Sequence, residues 1–348
     1  FLTLVIQLGV SALLFFRSII SVMLTRIFLI KVTVLCLVIS MCLIVSEIFV
    51  RIVVDDGMEY NLEMWKYARK LKRVAKHSDQ GHQHIPDKSA FLMGVNVKIN
   101  SQGYRNKEIS ITPSQGVTRI MMLGDSLTFG WGVPSGETVS SRLENLLNNS
   151  RKDKSFEVIN TGIGNTNTEM QVASFLDKGV LFSPDIVVLN YFINDAEPIP
   201  RPTKNIFMKH SAAYVSFSLR WGSIKRLFFG GKQWFQYYND LYSNENESWI
   251  RAKDAISKLS NYSHSKDIKL VIVNYPELHQ LTPYPFDQVT SKLKNVADEH
   301  GVQFVDLLPN LKDESESDLW VSQQDQHPNS LACKLIAHAI QKALVKNL

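Results

Sequence analysis

The run Gly124-Asp125-Ser126-Leu127 follows directly on four apolar residues, Ile120-Met121-Met122-Leu123. A serine at the carboxyl end of a buried parallel strand sits where open α/β sheets present their ligands. Its hydroxyl is a poor nucleophile until a neighbouring base takes the proton. His327, in Gln324-Asp325-Gln326-His327-Pro328-Asn329, is the suitable base, because imidazole exchanges protons near neutral pH. Plainer roles compete with these. Serine is also a favoured helix cap, asparagine at 194 a favoured turn residue, and Asp325 an ordinary surface acid. Asp125 and Asp195 read as structural hydrogen-bonding groups. His82 and His84, in Gly81-His82-Gln83-His84, lack the third and fourth ligands that a metal site needs.

These residues need a frame, and the pattern from Val117 onward predicts one. β-branched apolar runs at Arg119–Leu123, Glu157–Asn160, Ile186–Tyr191, Lys269–Asn274 and Gln303–Asp306 alternate with helical stretches near 138–149, 166–179, 248–264, 284–299 and 329–346. Strands that are apolar throughout, rather than at every second residue, imply a parallel sheet covered on both faces. The rhythm breaks over about 198–247, where Phe217, Trp221, Phe228, Phe229, Trp234, Tyr237 and Tyr238 accumulate. That stretch reads as an insertion placed to cover the site.

With nucleophile, base and sheet in this order, residues 117–348, about two-thirds of the chain, resemble the SGNH (GDSL-like) hydrolases. The resemblance implies a three-layer α/β/α, flavodoxin-like fold and a serine esterase that works without metal or organic cofactor. It carries Ser126 over as nucleophile, its backbone N–H also serving the oxyanion hole. The second block reads Asn160-Thr161-Gly162-Ile163-Gly164-Asn165 and implies a further N–H donor, from Gly164 or Asn165. The third block is usually Gly-x-Asn-Asp and here reads Phe192-Ile193-Asn194-Asp195, which implies Asn194 as a side-chain donor to the oxyanion. The last block is usually Asp-x-x-His. Here the acid, Asp325, stands two residues before His327, a spacing similar to the alginate O-acetylation branch, and is implied as the partner that orients the imidazole. Asn100-Ser101-Gln102-Gly103-Tyr104-Arg105 resembles a segment preceding the hydrolase domain in membrane-anchored relatives and reads as a turn with an anchoring arginine.

Ahead of this domain, residues 32–46 carry no charge, and the apolar stretch runs on to Val53 with only Glu47 and Arg51 interrupting. It is apolar on all sides and close to the length of a spanning helix. The expected organisation is an apolar segment of open status at 1–22, a transmembrane anchor at 23–53, an amphipathic helix and connector at 54–116, and the hydrolase domain at 117–348. The chain begins with Phe1, and two readings stand: a truncated preceding helix, or a natural start at Met23 giving an uncleaved signal anchor. Arg17, Arg26 and Lys31 favour a cytoplasmic N-terminus, while the basic stretch from Lys66 to Lys76 argues the other way. Met58, Leu62, Trp65, Ala68, Leu71 and Val74 predict an amphipathic helix over 57–76, a stalk packed on the domain.

Composition narrows the function. The net charge of +5 is mild and much of it lies in Lys66–Lys76, short of the spread basic surface of a nucleic-acid binder. Of three cysteines, Cys36 and Cys42 lie in the apolar stretch and Cys333 stands alone, so no disulfide framework or metal motif arises. The expected function is hydrolysis or transfer of an acyl ester, with an acylated small molecule or glycan as partner. By analogy with membrane-anchored relatives, this suggests acetyl groups on a surface polysaccharide and an extracytoplasmic domain. The alternative is a glycan-binding or assembly protein that keeps the fold without catalysis; the departures at Phe192, Asn165 and Asp325 leave room for it.

Overall fold

The computed structural model describes residues 2–346 apart from 201, 202, 204 and 230–233. Five parallel strands form its centre: β1 (Val117–Leu123), β2 (Ser155–Asn160), β3 (Ile186–Tyr191), β4 (Lys269–Asn274) and β5 (Gln303–Asp306), in the order β2-β1-β3-β4-β5. Each predicted run became one of these strands. The order reverses between β1 and β3, and a doubly wound sheet opens its ligand crevice at such a switch point.

Alternate strand residues serve opposite faces. Met121, Leu123, Val187, Leu189 and Ile272 pack with Val172, Phe175, Ile256 and Leu293, while Ile120, Met122, Val188, Val271 and Val273 pack with Leu143, Leu147, Ile336 and Ile340. The first layer comes from three of the helices that follow α1 (Leu2–Phe49) and α2 (Tyr60–Lys70): α4 (Thr168–Asp177), α6 (Glu247–Ser265) and α7 (Asp287–Glu299). The second layer comes from α3 (Val139–Ser150) and α8 (Ser330–Val345). Burial on both faces is why the strands read as unbroken apolar runs. Side-chain caps fix where the helices begin: Thr138 for α3, Asn167 for α4, Asn246 for α6 and Asn329 for α8.

Two expectations change. The helix predicted over 57–76 is α2 alone; the chain then extends, and Lys72–Val74 pairs antiparallel with His82–His84. Gly81, at φ 62°, makes that return, since a left-handed residue carries little penalty without Cβ. Ala68, placed by sequence on the apolar face, is exposed. The insertion folds as short helices on either side of α5 (Ala212–Phe229). Its two ends do different things. Val215 packs with Val50 and Leu62, while Trp234 reaches His279 at the rim of the site, ring centroids 5.5 Å apart. The side chains of Phe228 and Phe229 lie outside those described.

Among the described residues one helix, Leu13–Val54, is long and apolar enough to cross a membrane. It includes most of α1 and a wider last turn at Val50–Val54.

Candidate active site

The nucleophile candidate sits where β1 ends. Asp125 caps the short helix Ser126–Phe129, its Oδ1 accepting the Leu127 N–H at 2.9 Å. The cap leaves Ser126 on the first turn of the helix, facing the crevice. Its Oγ lies 2.8 Å from His327 Nε2, and His327 Nδ1 lies 2.5 Å from Asp325 Oδ1. Residues 201 positions apart thus form one hydrogen-bonded relay.

The short Asp-x-His spacing has a structural cause. Asp325 and His327 lie on strand β7 (Asp325–Pro328), which pairs antiparallel with β6 (Trp320–Ser322). Residues two apart on a strand share a face, so an acid at that offset reaches its histidine without a helical turn. Asn329 pins the hairpin: its amide donates to the carbonyls of Asp318 and Trp320 while its Oδ1 caps α8. Burial alone would raise the Asp325 pKa, but hydrogen bonds from His327 and the Trp131 indole, with the histidine's charge, hold it below the ordinary carboxylate value. Asp325 therefore stays ionised near neutral pH.

The other predicted residues gather at the same cleft. Asn194, after β3, points its amide at Asp125 Oδ2 from 3.3 Å. Its Oδ1 is buried without a partner. Asn165 lines the cleft with Ser126, Leu127 and Asn194 and stands at φ 64°. Gly164 differs in one respect: its N–H already donates to the Tyr67 hydroxyl at 3.0 Å. Gly162 is held closely, since a Cβ there would lie 2.2 Å from the Phe129 nitrogen. Asn160 is buried and bonds the Thr128 carbonyl and Ser140, so it ties the second block to the nucleophile helix. Asp195 accepts from Gln171 and the Phe192 N–H, the structural role read from sequence. Arg105 anchors as expected, donating to the carbonyls of Phe129, Gly130 and Val133.

Sequence reading missed several residues. Trp131 donates its indole N–H to Asp325 Oδ2 at 2.8 Å, fixing the acid from the side opposite the histidine. The available signal was an aromatic residue between Gly130 and Gly132, just past the nucleophile helix. Tyr60 lies over His327, ring centroids 5.7 Å apart, and lines the cleft with Met64. Both come from α2, where Tyr60, Met64 and Tyr67 form a second stripe at helical spacing that meets the predicted one at Leu71, the residue that ends the helix. Tyr67 and Leu71 are fully buried with Phe129 and Trp131. The stalk therefore builds a wall of the site. Across from it, Glu277 and His279, after β4, form a hydrogen-bonded pair in the same cleft.

His82 and His84 do not gather further ligands; no cluster of three metal-ligating side chains exists among the described residues. They join the stalk to the second block instead. His84 Nε2 meets the Tyr67 hydroxyl at 2.6 Å, and His82 Nε2 meets the Gly164 carbonyl at 3.1 Å. Burial, reinforced by the Lys72 charge, pushes His84 down to about 3 and His82 down to about 4. In the unfolded chain they titrate near the ordinary 6.5, so the unfolded state binds more protons in the window between. Stability from these groups is complete above about pH 6.5 and is lost as pH falls toward 4. The melting temperature is expected to drop across that window, and His84→Gln to flatten the drop; fluorescence melts at pH 7, 5.5 and 4.5 check this.

Among solved structures, three illustrate the likeness. A lipolytic protein of the G-D-S-L family from Desulfitobacterium hafniense is 14% identical, with 65% of this chain and 99% of that one covered at a TM-score of 0.42. A lipase/acylhydrolase from Enterococcus faecalis is also 14% identical, covering 66% and 97% at 0.42. A catalytic mutant of an acetylxylan esterase from Geobacillus stearothermophilus is 13% identical, covering 65% and 94% at 0.44. No curated protein matches the sequence. Residues 122–335 match the model of the GDSL-like Lipase/Acylhydrolase family, a span that covers well over half of the 348 residues and holds the whole Ser126–His327–Asp325 relay. By that match the chain belongs to the GDSL-like lipase/acylhydrolase family, and with its serine–histidine–carboxylate network it is a serine hydrolase.

Proposed function

We propose that this protein removes or transfers a short acyl group, such as acetyl, carried as an ester on a glycan. The observation that carries the mechanism is the unbroken relay from Ser126 Oγ through His327 to Asp325. Ser126 Oγ attacks the ester carbonyl as its proton passes to His327 Nε2. That proton then goes to the departing alcohol, leaving an acyl-serine. Water, or a second hydroxyl in a transfer reaction, repeats the steps in reverse, and Ser126 recovers its proton. Asp325 holds the imidazole tautomer and stabilises the imidazolium.

The oxyanion donors are the Ser126 N–H, the Asn165 N–H and the Asn194 amide. Asn165 is preferred to Gly164 because the Gly164 N–H is already committed to Tyr67. Asn194→Ala is expected to lower kcat roughly 10²–10³-fold, with labelling of Ser126 by a fluorophosphonate slowed but retained. A loss under threefold would remove Asn194 from the oxyanion hole.

The substrate class rests on the cleft. It is open, about 260 Å³, and its far wall is polar, with Glu277, His279, Gln324 and Gln326. Apolar side chains at Leu127 and Phe192 beside the serine suit a small acyl group, and the polar far wall suits a hydrophilic carrier better than a long hydrocarbon chain. The 348-residue chain is expected to favour p-nitrophenyl acetate over the palmitate ester by roughly 10²-fold in kcat/KM, and to release acetate from an acetylated oligosaccharide. A preference for palmitate would turn the reading to lipid esters. The linker and stalk at 54–116 join this domain, 117–348, to an anchor within 23–53. Arg17, Arg26 and Lys31, ahead of the uncharged run at 32–46, favour an extracytoplasmic domain.

A further inference from the structure

The end of the apolar helix is fastened to the insertion. Glu47 accepts the backbone N–H groups of Ala212 and Ala213, each at 3.0 Å, and the Ser211 hydroxyl at 2.8 Å. Arg51 pairs with Glu47 at 2.6 Å and reaches the His210 carbonyl. Val50 is buried with Leu62, Ala212 and Val215, and the Trp65 indole donates to the Met208 carbonyl at 2.8 Å. Glu47 lies seven residues before the end of the candidate span at Val54, about 10 Å along a helix axis. The first turn of α5 therefore stands level with the last turns of the span.

At that level an apolar surface is left uncovered. Ile206 is 65% exposed, Phe207 58%, Phe217 65% and Trp221 46%. Tyr214, Phe217 and Trp221 recur at helical spacing on one side of α5, opposite the buried Ala212 and Val215. The rings of Phe217 and Trp221 stack at 6.0 Å. A contiguous aromatic stripe on a soluble surface is costly and marks a contact. Aromatic side chains at the end of a spanning helix are what the membrane–water boundary favours.

We propose that Ile206–His210 and the first half of α5, to Trp221, form a second membrane contact, with their aromatic stripe seated in the lipid headgroup region beside the end of the span. The inference rests on the membrane reading of the N-terminal helix. The occupant is lipid because the stripe continues a surface that already ends in a bilayer-length helix. Two contacts, a span and an interfacial helix, fix the domain's orientation where one flexible tether leaves it free. The cleft is then held near the membrane. Tyr60, in its wall, is six residues beyond Val54, a reach of at most about 20 Å of extended chain.

The test uses the full chain in lipid nanodiscs and a membrane-impermeant methanethiosulfonate. F217C and W221C are made with Cys36 and Cys42 replaced by serine; Cys333 is buried. K152C, on an exposed turn of the domain, is the water reference, and native Cys36, with Cys42 replaced, is the lipid reference. F217C and W221C are expected to react at least about tenfold more slowly than K152C, and their bimane adducts to be quenched by doxyl lipids. Retained esterase activity of the variants shows that they fold. Reaction as fast as K152C overturns the proposal. Shielding without lipid quenching overturns it too, in favour of a protein partner or a second copy. Fast reaction of Cys36 would bring down the membrane reading itself, and the proposal with it.

Discussion

Ser126→Ala is expected to lower kcat for p-nitrophenyl acetate by roughly 10⁴–10⁶-fold while leaving the fold intact. The loss is that large because the hydroxyl is the only group in the relay that forms a bond to the acyl carbon. His327→Ala is expected to cost about as much, and the double variant little more than either single one, since members of a relay act as a unit. The serine change leaves the helix cap in place: Leu127 N–H donates to Asp125 Oδ1, while the hydroxyl meets Oδ2 at 3.5 Å. Residual activity in the alanine variant measures what the oxyanion donors and cleft achieve alone, about 10³–10⁴ over water in comparable enzymes. Stopped assays on the 348-residue chain, with a fluorophosphonate label as a second readout, check both. Activity unchanged by Ser126→Ala would sink the site assignment outright.

Asp325→Asn is expected to lower kcat by about 10⁴-fold near neutral pH. The asparagine is nearly isosteric, so the Trp131 indole keeps an acceptor. What fails is the tautomer. An amide presents N–H where Asp325 Oδ1 now accepts from His327 Nδ1, and Nε2 is then protonated when it has to take the serine proton. The hydrogen bonds from His327 and Trp131 hold Asp325 below the ordinary carboxylate value, so it stays ionised through mildly acid conditions. The wild-type rate is thus expected to show no loss from Asp325 protonation until the pH falls below the ordinary carboxylate range. Full activity in Asp325→Asn would make Asp325 an orienting residue without electrostatic weight. A pH–rate profile of wild type and variant separates these outcomes.

Much of the domain was legible before any coordinates. Each strand of the five-stranded sheet was bounded correctly to within two residues, because a sheet buried on both faces writes itself as uninterrupted apolar runs between polar turns. Ser126, His327 and Asn194 stood out because each follows a recognisable strand or precedes a helix start. The Asp325 spacing was legible as a departure, but its reason was not: only β7 pairing with β6 shows that the segment is extended, where an offset of two suffices. Likewise, sequence left Gly164 and Asn165 open, and only the Tyr67 hydroxyl, 97 positions away, distinguishes them.

Local order, in short-range patterns of polarity, determined the sheet, its covering helices, the apolar span and the candidates for chemistry, because strand and helix periods act over a few residues. Tertiary structure alone decided that α2 forms a wall of the cleft, that Trp131 steadies Asp325, and that Glu47 fastens the span to α5. Each of these is a contact between segments far apart in the chain. Such contacts depend on how finished elements pack, and a single strand or helix carries no record of which neighbour its second face will meet.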